Sequence, residues 1–148
     1  MAAIEKSMLV GYPADRMLEL VNDVASYPEF LPWCAGAEVV QESEDTLRAT
    51  LKIGYKGIRQ QFSTRNRTIM PDESSPGSIM MTLVDGPFRS LNGQWLFKPL
   101  NDNACKIEFT LRYEFSSKLL EKVIGPAFNY IASSFVDAFV KRAHSLYG

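Results

Sequence analysis

Apolar side chains recur at every second position through the middle of this chain and at every third or fourth position towards its two ends. Ile4 to Val10 alternates loosely, as a strand does. After Gly11-Tyr12-Pro13, the residues Met17, Leu20, Val21 and Val24 fall at helical spacing, which predicts a helix from Ala14 to Val24 with proline at its favoured first turn. Next comes Tyr27-Pro28-Glu29-Phe30-Leu31-Pro32-Trp33-Cys34, crowded with large apolar groups, where two prolines leave room for one short helical turn. From Gly36 to Phe115 the period is two. Leu47, Ala49, Leu51, Ile53 and Tyr55 share one face, and Arg48, Thr50, Lys52 and Lys56 the other. Gly57 turns the chain into a long strand, Ile58 to Met70, whose alternation is weaker. Turn clusters at Pro71–Gly77, Asp85–Pro87 and Pro99–Asn103 then separate three further strands. Their inward residues are Ile79, Met81 and Leu83; then Leu91, Gly93, Trp95 and Phe97; then Cys105, Ile107, Phe109, Leu111, Tyr113 and Phe115. From about Ser117 to Leu146 the helical period returns, with Leu120, Ile124, Phe128, Ile131, Phe135, Ala138 and Phe139 in one stripe. Gly125-Pro126 interrupts that stripe, so a kink or a restart is expected near residue 125.

This order, a strand, two short helices, a run of strands and a long helix, describes one α+β domain over residues 1–148. About six or seven strands joined by short turns form an antiparallel sheet, and a sheet of that width twists and curls around the C-terminal helix. Trp95, Phe97, Phe109, Leu111, Tyr113, Phe115 and Met81 face the concavity from the strands, with Phe128, Phe135 and Phe139 facing it from the helix. A packed core and a tunnel for a hydrophobic ligand both fit this pattern, and periodicity does not separate them.

Composition narrows the chemistry. The chain has 148 residues, 46% of them hydrophobic, enough for a core without disulfides. With 16 basic against 17 acidic side chains it is no globally basic DNA binder. It carries one histidine, His144, and two cysteines, Cys34 and Cys105, which make neither a disulfide framework nor a zinc site. No nucleophile-elbow, phosphate-loop, dinucleotide-binding or zinc-protease motif occurs. These counts point to a binder rather than a catalyst; an enzyme would need an inward acid–base group, for which Tyr113 is the main candidate. The first residues, Met1 to Lys6, show neither an apolar signal segment nor an arginine-rich transit pattern, and no window approaches the length of a membrane span. A cytoplasmic location is therefore expected, with membrane contact only peripheral, at the inner membrane.

The near-neutral total conceals a separation. Residues 15 to 45 hold eight acids and one base, whereas residues 46 to 71 hold six bases and no acid. Those six, Arg48, Lys52, Lys56, Arg59, Arg65 and Arg67, fall on the outward parity of two neighbouring strands. Such a face either meets phosphate, in lipid head groups or ribosomal RNA, or is a solvated surface that complements the acidic segment.

Three stretches carry a resemblance: Tyr27 to Cys34; Val84-Asp85-Gly86-Pro87-Phe88-Arg89 with Gly93-Gln94-Trp95-Leu96-Phe97; and Ala138-Phe139-Val140-Lys141-Arg142-Ala143 with Leu146-Tyr147-Gly148. In this order and spacing the chain, from about Ile4 to Gly148, resembles the coenzyme Q-binding and ribosome-association-toxin family of the START-like (polyketide cyclase/dehydrase and lipid transport) superfamily. The resemblance implies a helix-grip fold, in which the sheet clasps the long C-terminal helix around a hydrophobic cavity. Met81, Trp95, Phe97, Phe109, Leu111, Tyr113, Phe128, Ile131 and Phe135 are then expected to line the cavity. Phe30, Leu31, Trp33 and Phe88 are expected at its entrance. It further implies a non-catalytic protein that needs no resident cofactor. Family members of mitochondrial type bind ubiquinone and support respiration; bacterial members include toxins that bind the large ribosomal subunit and block subunit joining. The motifs do not separate these activities. A ubiquinone or related lipid carrier is the first expectation, and a ribosome-binding inhibitor of translation is the alternative.

Overall fold

The computed structural model describes residues 2–148. Strand β1 (Ala2–Val10) leads into helix α1 (Ala14–Asn22) and a 3-10 helix (Val24–Glu29). Six strands follow: β2 (Cys34–Gln41), β3 (Thr46–Tyr55), β4 (Ile58–Ile69), β5 (Gly77–Asp85), β6 (Phe88–Asn101) and β7 (Ala104–Phe115). Helices α2 (Lys118–Ser133) and α3 (Phe135–Tyr147) complete the chain. The strands form one antiparallel sheet in the order β1-β7-β6-β5-β4-β3-β2, so a meander is closed by β1 pairing back onto β7.

Alternation decides which face is buried. Leu47, Ala49, Leu51 and Ile53 of β3, Leu91, Trp95 and Phe97 of β6, and every second residue of β7 from Cys105 to Phe115 are buried on the concave side. Helix α1 buries Met17, Leu18, Leu20 and Val21. The β3–β4 turn has only two residues between the paired Tyr55 and Ile58. Both have positive φ, 49° at Lys56 and 81° at Gly57, the mirror-image turn whose twist suits a hairpin. Lys56 therefore does not extend the outward face of β3, as the alternation predicts, but stands at the tip.

The C-terminal region corrects two expectations. A long helix with a kink or a restart near residue 125 is predicted, yet α2 runs unbroken through Gly125-Pro126 and the break falls at Ser134, where α2 and α3 meet at 42°. Lys122 and Pro126 are both exposed, so water can take the carbonyl that proline leaves unpaired. At the bend the Ser134 hydroxyl donates to the Ile131 carbonyl at 2.8 Å, and the Ser134 N–H is shared between the carbonyls of Tyr130 and Ile131. The helix is thereby divided to follow the curved sheet. Phe128 packs among Phe62, Phe88 and Tyr113 near one end, and Phe139 among Trp95, Tyr27 and Phe30 near the other. Ser117 caps α2, accepting from the Leu120 N–H at 3.2 Å. No helix among the described residues is long and apolar enough to cross a membrane.

Candidate functional site

Between the concave face and the two C-terminal helices lies a cavity of about 40 Å³. Met81, Trp95, Leu111, Phe128, Ile131 and Phe135 line it, six of the nine residues expected there. Phe97, Phe109 and Tyr113 do not reach it. All three are buried on the same face, but Phe97 and Phe109 pack against Trp95, and Tyr113 packs against Phe88 and Phe128. Inward parity puts a side chain on the concave face; where α2 and α3 press on that face decides which side chains meet the remaining space.

The four residues expected at an entrance form no open mouth. Trp33 is on the cavity wall itself, and Leu31 and Phe88 are buried. Phe30 is half-buried, with its ring edge-on to Tyr27 and Phe139 and the Arg142 guanidinium 5.0 Å from its centroid. Arg142 also donates to Glu29 at 3.0 Å. The Tyr27–Cys34 segment is thus fastened to α3 and closes the cavity at this end.

Sequence reasoning missed the polar part of the wall. Thr64 and Asn66 of β4 are buried and line the cavity beside Phe62, Leu51 and Ile53. Their signal was present as the weak alternation of β4, where polar residues take the inward parity after Phe62. Thr64 donates from Oγ1 to Asn66 Oδ1 at 2.7 Å. Among the described residues the wall includes no Asp, Glu, His, Lys or Arg, and its single titratable group is Tyr27. The Tyr27 hydroxyl donates to the Val21 carbonyl, and burial pushes its pKa far above the ordinary tyrosine value. Burial also raises both thiols, that of Cys105 to about 11, so neither is poised as a nucleophile. No group of three His, Cys, Asp or Glu side chains comes together among the described residues.

The outer face is more balanced than the segregated sequence implies. The acidic strand β2 lies beside basic β3, and the β2–β3 turn reaches β4. Lys52 pairs with Glu38 at 3.4 Å, Arg65 with Glu42 at 2.6 Å and Arg67 with Asp45 at 3.3 Å. Arg65 holds the Glu42 carboxyl below the ordinary carboxylate range, chiefly through its hydrogen bond. Arg48, Lys56 and Arg59 make no ion pair among the described residues. Lys52, Lys56 and Arg59 border an open groove of about 850 Å³ around the β3–β4 hairpin, where Tyr55 stacks on Tyr130 of α2 at 5.9 Å.

With this geometry in view, the sequence profile described as polyketide cyclase / dehydrase and lipid transport matches residues 10–140. A ribosome association toxin, RatA, of Vibrio cholerae is 46% identical over 149 residues, spanning 100% of this chain and 99% of that protein. The mitochondrial coenzyme Q-binding protein COQ10 of Drosophila melanogaster is 30% identical over 141 residues, spanning 93% of this chain and 56% of that one. A START superfamily protein from Mycobacterium smegmatis shares the fold, with a TM-score of 0.70 at 20% identity, covering 97% of this chain and 98% of that chain.

Proposed function

This chain belongs to the polyketide cyclase / dehydrase and lipid transport family, and within that family we propose that it is a ribosome-association protein that binds the large ribosomal subunit and blocks subunit joining. Its helix-grip, START-like architecture serves several activities, so the fold alone does not select one. The observation that carries the reading is the 46% identity with RatA along the whole chain. Two features of the structure support it. The cavity of about 40 Å³ is far below the roughly 300–1,000 Å³ of ordinary ligand pockets, too small to enclose a lipid without movement of its wall. Lys52, Lys56 and Arg59 around the open groove offer cations to RNA phosphates, and the exposed ion pairs beside them exchange at little cost.

Sucrose-gradient sedimentation of overexpressing cells tests the proposal. The protein should travel with large subunits while the monosome peak shrinks. Raising salt should release it, and Lys56→Glu with Arg59→Glu should weaken the association and lower the salt slope by about two. Unchanged subunit and monosome peaks with no co-sedimenting protein would overturn it.

A second reading is a non-catalytic carrier of a prenylated quinone such as ubiquinone, or of a similar lipid. Its supporting observation is the wall of the cavity, which is almost wholly apolar and whose one titratable group among the described residues, Tyr27, is tied to a backbone carbonyl. The coenzyme Q-binding relative points the same way. Under either reading the protein binds rather than catalyses.

A further inference from the structure

The β3–β4 hairpin and α2 set two tyrosines side by side at the open groove. Tyr55 of β3 lines the groove, and its ring lies 5.9 Å from that of Tyr130, with 12° between their planes. Tyr55 is half-buried, whereas Tyr130 is 59% exposed, so the outer ring of the pair meets solvent. The Lys56 ammonium stands 5.4 Å from the Tyr55 centroid, and Arg59 follows just after the turn. Neither cation is in an ion pair among the described residues. Lys52, Lys56 and Arg59 line the groove with no acidic residue beside them on its described wall. Gln60 and Gln61 line it too, and a carboxamide carries both a donor and an acceptor for a base edge.

Phosphate alone needs only the cations, but the paired rings call for a second kind of group. An exposed aromatic face favours another flat ring, and in RNA such a ring is free to stack only where a base is unpaired. The groove is a recess, which a nucleotide can enter and a flat bilayer surface cannot fill. Leu119 and Val123, also exposed on α2, lie roughly 16 and 10 Å along the helix from Tyr130, towards its other end.

We infer that the groove binds an unpaired nucleotide of RNA, with the base stacked on Tyr130 and the flanking phosphates on Lys56 and Arg59. The inference rests on the ribosome-association reading above and deepens it: the contact is to a loop, a bulge or a strand end rather than to a duplex.

A fluorescein-labelled alternating uridine–cytidine RNA and the duplex it forms with its complement test the assignment by fluorescence anisotropy. The duplex carries the denser phosphate charge, so electrostatics alone would favour it. The single strand should nevertheless bind tighter. Tyr130→Ala, a change at an exposed position that leaves the fold intact, should weaken single-strand binding about ten-fold and remove the preference. Its salt slope should stay that of the parent, because no charge is lost. Tyr130→Phe should bind as the parent does, and so should Leu119→Ala. Tighter binding of the duplex, Tyr130→Ala binding equal to the parent, or a loss in Tyr130→Phe as large as in Tyr130→Ala overturns the assignment. Binding to phosphatidylglycerol vesicles but to neither RNA overturns it as well and gives this face to a membrane. Co-sedimentation titrations with large ribosomal subunits separate the two levels. If parent and Tyr130→Ala bind subunits equally, the nucleotide site is overturned and the ribosome reading stands; if the parent does not bind them, the ribosome reading itself is overturned.

Discussion

Phe128 joins α2 to the sheet, and its truncation to alanine measures how firmly the helix is gripped. The side chain is 4% exposed, and its ring centroid lies 4.8 Å from Tyr113, 5.0 Å from Phe88, 5.9 Å from Phe115 and 6.1 Å from Phe62. Truncating a buried phenylalanine costs about 3–5 kcal/mol, through lost transfer energy and the void left behind. Four aromatic neighbours place Phe128→Ala towards the upper part of that range, at about 4 kcal/mol. A single domain has about 5–15 kcal/mol in total, so the variant should fold with a much reduced margin. With a urea slope of about 2 kcal/mol per molar, the unfolding midpoint should fall by about 2 M. Leu119→Ala is the control: on the same helix, 71% exposed, it should change stability by about 0.5 kcal/mol or less. Because Phe128 also lines the cavity, its removal enlarges the space, and undecane should raise the midpoint of the variant more than that of the parent. A midpoint shift below about 0.5 M, or one matched by the control, would refute the claim that this cluster holds the helix.

The Glu42–Arg65 pair predicts a pH dependence of definite sign. The Glu42 pKa is depressed below the ordinary 4.5, so its stabilisation is present above that value and is lost as pH falls through the folded pKa. Parent and Glu42→Gln urea midpoints should thus differ most above pH 4.5 and converge in acid or high salt; a gap that does not vary with pH counts against the pair. Gly86 has φ +145°, and a Cβ there would lie 2.6 Å from Phe62 Cβ and 3.2 Å from its Cα. Gly86→Ala should cost about 1–3 kcal/mol, lowering the calorimetric Tm by several degrees, and an unchanged Tm would show that the β5–β6 turn relaxes freely.

Local pattern was enough where a residue's environment depends on its own strand or helix. The inward sets of β3, β6 and β7, the apolar face of α1 and the short turn at Gly57 follow from side-chain parity, helical spacing and φ preference, all short-range properties of the chain. Lys56 and the α2–α3 break show the limit of such reasoning. A one-residue difference in where the hairpin turns moved Lys56 from the strand face to the tip. The helix bends at Ser134 rather than at proline because the curved sheet rewards a bend between Phe128 and Phe139.

The candidate site depended more heavily on tertiary structure. Phe97, Phe109 and Tyr113 are as inward as Trp95, yet the helices and aromatic neighbours cover them. Thr64 and Asn66 read as irregularities of β4 until the fold set them against an apolar space. Whether the six basic residues met phosphate or the acidic segment was open until β2 and its turn to β3 laid Glu38, Glu42 and Asp45 beside three of them. By itself the sequence determined the strands, the helices apart from the break at Ser134, and their buried faces, because these arise from contacts within a few residues. Only the tertiary structure decided how much space remains inside, which groups border it and which charges stay free, because volume and electrostatic pairing depend on segments far apart in the chain.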